Sequence, residues 1–143
     1  MSSDGPTPTF SLNTATKGPA AAEAFFQALG FKVLADWGDA KFKALLLPPP
    51  NENLCLMLHD HSRFKEFIRP NTEISDARTS TEVVFSIGLK AREDVDQWLA
   101  KAKEAGATLD PYVSPNNAKD MGTYSRSFTD LDGHIWKLIS EAA

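Results

Sequence analysis

Ser127-Phe128-Thr129-Asp130-Leu131-Asp132-Gly133-His134-Ile135-Trp136-Lys137-Leu138 is the stretch whose reading decides the fold. Two short apolar runs flank Asp-Leu-Asp-Gly. That is turn chemistry: an Asp side chain bonds nearby backbone N–H groups, and Gly accepts a positive φ. The stretch therefore predicts two antiparallel strands joined by a tight connection. Within the turn, Asp130 and Asp132 read as turn-formers and not as a catalytic carboxylate pair. Strand alternation puts Trp136 and Lys137 on opposite faces, with the indole under a helix.

Working outward, the second half of the chain predicts a strand over 82–88 and a helix over 92–104. That helix carries Val95, Trp98, Leu99 and Ala102 at helical spacing, with Gly106 beyond its end. Strands over 108–113, 123–128 and 134–139 follow. The first half repeats the order: a strand over 9–16, then a helix over 20–29 with Pro19 ahead of it and Gly30 behind. Strands over 31–37, 42–47 and 54–59 complete it. The clearest local echo pairs Phe25-Phe26-Gln27-Ala28-Leu29-Gly30-Phe31 with Ala102-Lys103-Glu104-Ala105-Gly106-Ala107. One such unit cannot cover its own sheet, so two must associate. The expected fold is α+β, with two βαβββ modules whose mixed or antiparallel sheets curl around a cleft. Residues 1–8 form a flexible tail, and 9–143 a single domain made of module 9–60, a linker helix region 61–80 and module 81–143. In the linker, Phe64, Phe67 and Ile68 share one helical face. That face suits a connector packed on the core, and a lid over a pocket is its functional reading.

Composition removes several classes of function. The net charge of -4 and the sequence pI near 5.3 argue against a general partner for nucleic acid or anionic membranes. No apolar run approaches the ~20 residues that cross a bilayer. The opening residues show no basic region followed by an apolar stretch. Cys55 is the sole cysteine, which suits a reducing compartment, so a cytoplasmic location is expected. Glycine-rich phosphate loops, paired Cys motifs and a Gly-x-Ser-x-Gly elbow are all lacking from the sequence.

The terminal hairpin resembles that of the vicinal oxygen chelate superfamily, the glyoxalase, bleomycin-resistance and extradiol dioxygenase proteins. Its usual form there is Phe-x-Asp-Pro-Asp-Gly-His-x-Trp-Glu-Leu. Phe25-Phe26-x-x-Leu29-Gly30-Phe31 resembles the family's helix end. Further matches are Leu56-Met57-Leu58, Phe64-Lys65-Glu66-Phe67, Thr81-Glu82-Val83 and Ser125-Arg126-Ser127-Phe128, which point to the glyoxalase-like subgroup called predicted lactoylglutathione lyase. The resemblance covers nearly the whole chain. It implies a divalent metal held by side chains from four strands, at positions that correspond here to Ser11, Met57, Glu82 and Lys137. Serine and methionine are poor ligands for Zn, Ni, Mn or Fe, and a lysine repels a cation. Lys137 stands where the family has its carboxylate.

The expectation is a glyoxalase-like small-molecule-binding protein that has lost the usual metal site, with no cofactor. The alternative is a metal-independent lyase, isomerase or cyclase; a metal-dependent lactoylglutathione lyase (glyoxalase I) is the weaker third. Candidate catalytic residues are Lys137 and Glu82, expected as an ion pair inside the cleft, with Tyr124 and Arg126 on its wall. Candidate ligand-binding residues are Asn13, Met57, His59 and Phe64. Cys55 alternates with Met57 and His59 on one strand face, where a buried thiol is the default. His134 sits in the hairpin, and its expected role is structural. The expected partners are a small-molecule ligand and a second copy of the chain in a two-fold homodimer.

Overall fold

The computed structural model of the chain describes residues 10–112 and 122–141. It divides into two compact units, separated between Ser75 and Asp76. The tail expected over 1–8 lies outside the described residues.

The first unit contains β1 (Phe10–Ala15), α1 (Pro19–Ala28), β2 (Lys32–Val33), β3 (Phe42–Leu46) and β4 (Leu54–His59). A short helix α2 (His61–Phe64) and a 3-10 turn at Lys65–Phe67 follow. The sheet order is β1-β4-β3-β2, with β1 parallel to β4 and the other pairs antiparallel. Pro19 opens α1, where its missing N–H costs nothing. Ala22, Phe25 and Phe26 form its buried stripe. Gly30, at φ +96°, ends it and lets the Phe31 N–H donate back to the Phe26 carbonyl at 3.1 Å. Cross-strand register puts Leu12, Leu45 and Leu56 on one face and Ser11, Leu46 and Cys55 on the other. The first face lies under α1. The second carries its own small core, in which Ala44, Leu46 and Cys55 are packed by Leu34, Trp37 and Met57.

The second unit repeats the plan with β5 (Val84–Gly88), α3 (Arg92–Glu104), β6 (Thr108–Leu109), β7 (Thr123–Thr129) and β8 (Ile135–Glu141). Its sheet order is β5-β8-β7-β6, with β5 parallel to β8. Gly106, at φ +111°, closes α3, and the Ala107 N–H donates to the Ala102 carbonyl at 2.9 Å. Both helices thus end with the same six-to-one bond, so the echo read in the sequence is a shared C-cap. The α+β class and the βαβββ order stand in both units.

The decisive hairpin is built around the buried Asp130. Its carboxylate accepts from the backbone N–H groups of Asp132 and His134, both at 3.0 Å, and from the Trp136 indole at 3.1 Å. Trp136 is 1% exposed and lies between Phe85 and Phe128. Gly133 has φ +95°, and a Cβ there would stand 2.7 Å from Arg78 Cγ and 2.9 Å from the Arg78 nitrogen. Glycine is required twice at that position, by conformation and by the close approach of Arg78.

Several predicted strands are shorter than expected. The run expected over 31–37 holds only the two residues of β2, and a 3-10 turn at Ala35–Trp37 follows. Leu34 and Trp37, three residues apart, both reach the Ala44–Cys55 cluster, which a strand of period two cannot do. β6 stops at Leu109, and Asp110 takes φ 50°. The last expected position of that strand, Val113, lies outside the described residues.

Candidate functional site

In the first unit the sheet face away from α1 brings Asn13 directly opposite Met57 across the β1–β4 pair, with His59 two residues further along β4. His59 is 1% exposed, and its ring has a partner on every side. Nε2 meets Asn13 Oδ1 at 2.7 Å, and Nδ1 accepts from Arg63 Nε at 3.1 Å. The ring stacks on Phe42 and meets the Phe67 ring edge-on at 5.0 Å between centroids. Phe64 lies at 6.3 Å. The Arg63 guanidinium covers Phe42, 4.2 Å from its centroid, a cation–π contact. Burial, reinforced by the Arg63 charge, pushes the His59 pKa below its ordinary value of 6.5, and Asp60 opposes this more weakly.

The position of Arg63 follows from local chain chemistry. Asp60 caps α2: its carboxylate accepts from the Arg63 N–H at 2.8 Å and from the Ser62 hydroxyl at 2.9 Å. The cap starts a helical turn immediately after β4, so residue 63 comes back over residue 59. The four candidate ligand-binding residues, Asn13, Met57, His59 and Phe64, are therefore gathered in one region. Arg63, Phe42 and Phe67 join them there. Reading the sequence for ligands missed these three; Asp60 at a strand end, three residues before Arg63, was the available signal.

The second unit separates its candidates. Lys137 lies on β8, opposite Ser127 of β7 and Ser86 of β5. Glu82 precedes β5 and is exposed. β5 starts at Val84, which pairs with Ile135, so Glu82 lies before the first pair of that ladder, four residues ahead of Ser86, the β5 partner of Lys137. No ion pair joins Lys137 to Glu82, which corrects the expected pair.

Tyr124 and Arg126 are a second correction. They share the strand parity of Phe128, and register pairs Arg126 with Leu138 and Phe128 with Trp136. This is the face under α3, opposite to that of Lys137. Tyr124 donates to Asp96 of α3 at 2.6 Å, and Arg92 of α3 covers its ring. Arg126 makes a two-pronged contact with Asp110. That bond raises the Arg126 pKa above its already high value, and it also lowers the Asp110 pKa. Both side chains serve the packing of this face. A groove of about 430 Å³ opens near the hairpin, lined by Arg78, Thr81, Thr108, Thr129 and Ile135 among others, and none of the four candidate catalytic residues lines it.

The donor chemistry at the four positions matched to the family's metal ligands is poor. Ser11 offers a neutral hydroxyl, Met57 a thioether and Lys137 an ammonium, and Glu82 stands outside its strand. Among the described residues no group of three or more His, Cys, Asp or Glu side chains could hold a metal ion. His134 Nδ1 lies against the Asp130 carboxylate within the hairpin, 3.1 Å from Oδ2. Burial alone would lower its pKa, but its bonds to Asp130 and the charges of Asp130 and Asp132 outweigh burial and raise it.

No protein-family model matches the chain, and no curated protein matches it. Solved structures do. A hypothetical protein from S. aureus is 25% identical, with TM-score 0.69 over 98% of this chain and 94% of that one. A glyoxalase/bleomycin resistance protein/dioxygenase family enzyme from Burkholderia phytofirmans is 20% identical, with TM-score 0.70 over 92% and 96%. A genomically encoded fosfomycin resistance protein from Listeria monocytogenes, solved with Mn(II) and sulfate, is 18% identical, with TM-score 0.62 over 99% and 92%. With two βαβββ units and these neighbours, the chain has the fold of the glyoxalase/bleomycin resistance protein/dioxygenase structures.

Proposed function

We propose that the chain is a glyoxalase-like small-molecule-binding protein whose ligand meets the sheet face of Asn13, Met57 and His59 and needs no divalent metal. The observation that carries this reading is the hydrogen-bonded series Arg63–His59–Asn13, set among Phe42, Phe64 and Phe67. Fixed polar groups among apolar walls are what a small-molecule site requires. The side chains matched to the family's metal ligands support the same reading, since three of the four cannot bind a divalent ion well.

A second reading, a metal-independent lyase or isomerase, is favoured by Lys137. It is partly buried on a strand between Ser86 and Ser127, and among the described residues it has no carboxylate partner. An amine so placed can steady a developing negative charge. A metal-dependent lactoylglutathione lyase ranks third.

The test is metal analysis of protein purified without an affinity tag, together with a fragment screen read at Met57 and His59 by NMR. The expected result is well under one metal ion per chain, with fragments shifting both residues. Tight retention of about one Ni, Zn or Mn per chain would return the third reading to first place. We also propose a cytoplasmic, two-fold dimeric protein. The free, buried Cys55 suits such a compartment, and no helix among the described residues is long and apolar enough to cross a membrane.

A further inference from the structure

Proton accounting along the Arg63–His59–Asn13 series fixes what Asn13 offers to a ligand. A guanidinium has donors only and keeps its charge in proteins. Arg63 Nε lies 3.1 Å from His59 Nδ1, so Nδ1 must be the bare, accepting nitrogen. A neutral imidazole then carries its proton on Nε2. The depressed His59 pKa agrees, because a second proton would have to enter at Nδ1, against the Arg63 N–H. Nε2–H points at the Asn13 side chain at 2.7 Å, and only an oxygen can accept it. The usual ambiguity of an amide's two ends is thereby removed. With its nitrogen toward His59, a donor would face a donor beside a buried ring, leaving the Nε2–H unmatched. The Asn13 NH2 is thus turned away from His59. Asn13 is exposed, and among the described residues its nitrogen makes no hydrogen bond.

We infer that Asn13 presents its NH2 group to the ligand, which therefore carries a carbonyl or carboxylate oxygen on an apolar body. This rests on the binding face proposed above and names the chemistry that face selects. The surroundings agree in sign. Arg63 adds donors and a positive charge, while Met57, Phe42, Phe64 and Phe67 add apolar surface. The nearest carboxylate along the chain, Asp60, is taken up by the α2 cap. A site whose fixed groups are donors rejects an ammonium ligand, which would bring donor to donor and charge to charge. His59 acts here as a positioning residue, since its effect reaches the ligand through the orientation of Asn13.

The test uses the full chain labelled with 15N and three probes matched in size: benzoate, acetophenone and benzylammonium. Long-range proton–nitrogen spectra should show His59 as the Nε2–H tautomer. Benzoate and acetophenone should shift the Asn13 NH2 resonances, and benzylammonium should leave them in place. Asn13→Asp keeps an acceptor for His59 but turns an oxygen outward. It should weaken benzoate by about tenfold or more, the scale of one lost hydrogen bond to a charged group, and admit benzylammonium. Asn13→Ala should lose the first two probes without gaining the third. Arg63→Met frees the ring, so the preference for benzoate over benzylammonium should narrow. An Nδ1–H tautomer, or benzylammonium shifting Asn13 as strongly as benzoate, overturns the inference. If the probes move Met57 and His59 without regard to their head group, the binding face stands and the inference falls. If none moves any of the three residues, both fall.

Discussion

Two histidines, the buried His59 and the half-buried His134, pull the stability of the molecule in opposite directions with pH. His59 has its pKa lowered on folding, by burial first and then by Arg63, with Asp60 opposing. Its contribution is fully present above the unfolded value near 6.5 and is lost as pH falls from there through its folded value. His134 has its pKa raised by Asp130 and Asp132 against burial. Its contribution is present below about 6.5 and is lost as pH rises through its folded value. Urea titrations from pH ~8 to ~5 should therefore separate the variants. The deficit of His59→Gln relative to the native chain should shrink toward acid, and that of His134→Asn should grow. Gly133 gives a sharper test. Gly133→Ala adds a methyl that meets Arg78 Cγ at 2.7 Å in a left-handed backbone, and should cost roughly 1–3 kcal/mol in chemical denaturation. That glycine was legible from Asp-Gly turn chemistry alone. Its contact with Arg78, 55 residues earlier in the numbering, was not, because nothing local in the sequence reports it.

At the scale of elements, α2 is the piece on which the proposed binding face depends, although it is only four residues long. Asp60→Ala removes the acceptor of the Arg63 N–H and should lower the denaturation midpoint in urea. Because the same helical turn holds Arg63 over His59, that variant should also raise exchange of the His59 ring proton, measurable by NMR. Both long helices and the terminal hairpin could be read from sequence, since their periods and end signals are strong. Strand faces in the second unit were harder. Tyr124 and Arg126 share parity with Phe128, and only the pairing of Phe128 with Trp136 reveals which face that is. Pairing depends on how many residues the turn consumes, here the five between Thr129 and Ile135. Glu82 was misplaced for a related reason: β5 begins two residues later than its apolar content suggests, and the exposed Val83 is left outside it.

For the whole molecule, two units of one plan account for why so much of the fold was readable: the element order and the glycine that ends each helix occur twice, and the copies check each other. The candidate site had no such redundancy. Its polar series depends on one unrepeated capping turn, so nothing in the second half could vouch for it. Light scattering across micromolar concentrations should return twice the chain mass, and a strictly monomeric value would remove the proposed dimer. Cys55 has a use of another kind. It is the sole cysteine of the chain, 0% exposed, and burial raises its thiol pKa. A thiol reagent can reach it only when the first sheet opens, so its labelling rate is a clock for that opening. A disulfide reagent should react slowly with the native protein and at once, with one equivalent, in denaturant. Immediate labelling of the native chain would mean that this sheet breathes far more readily than its packing implies.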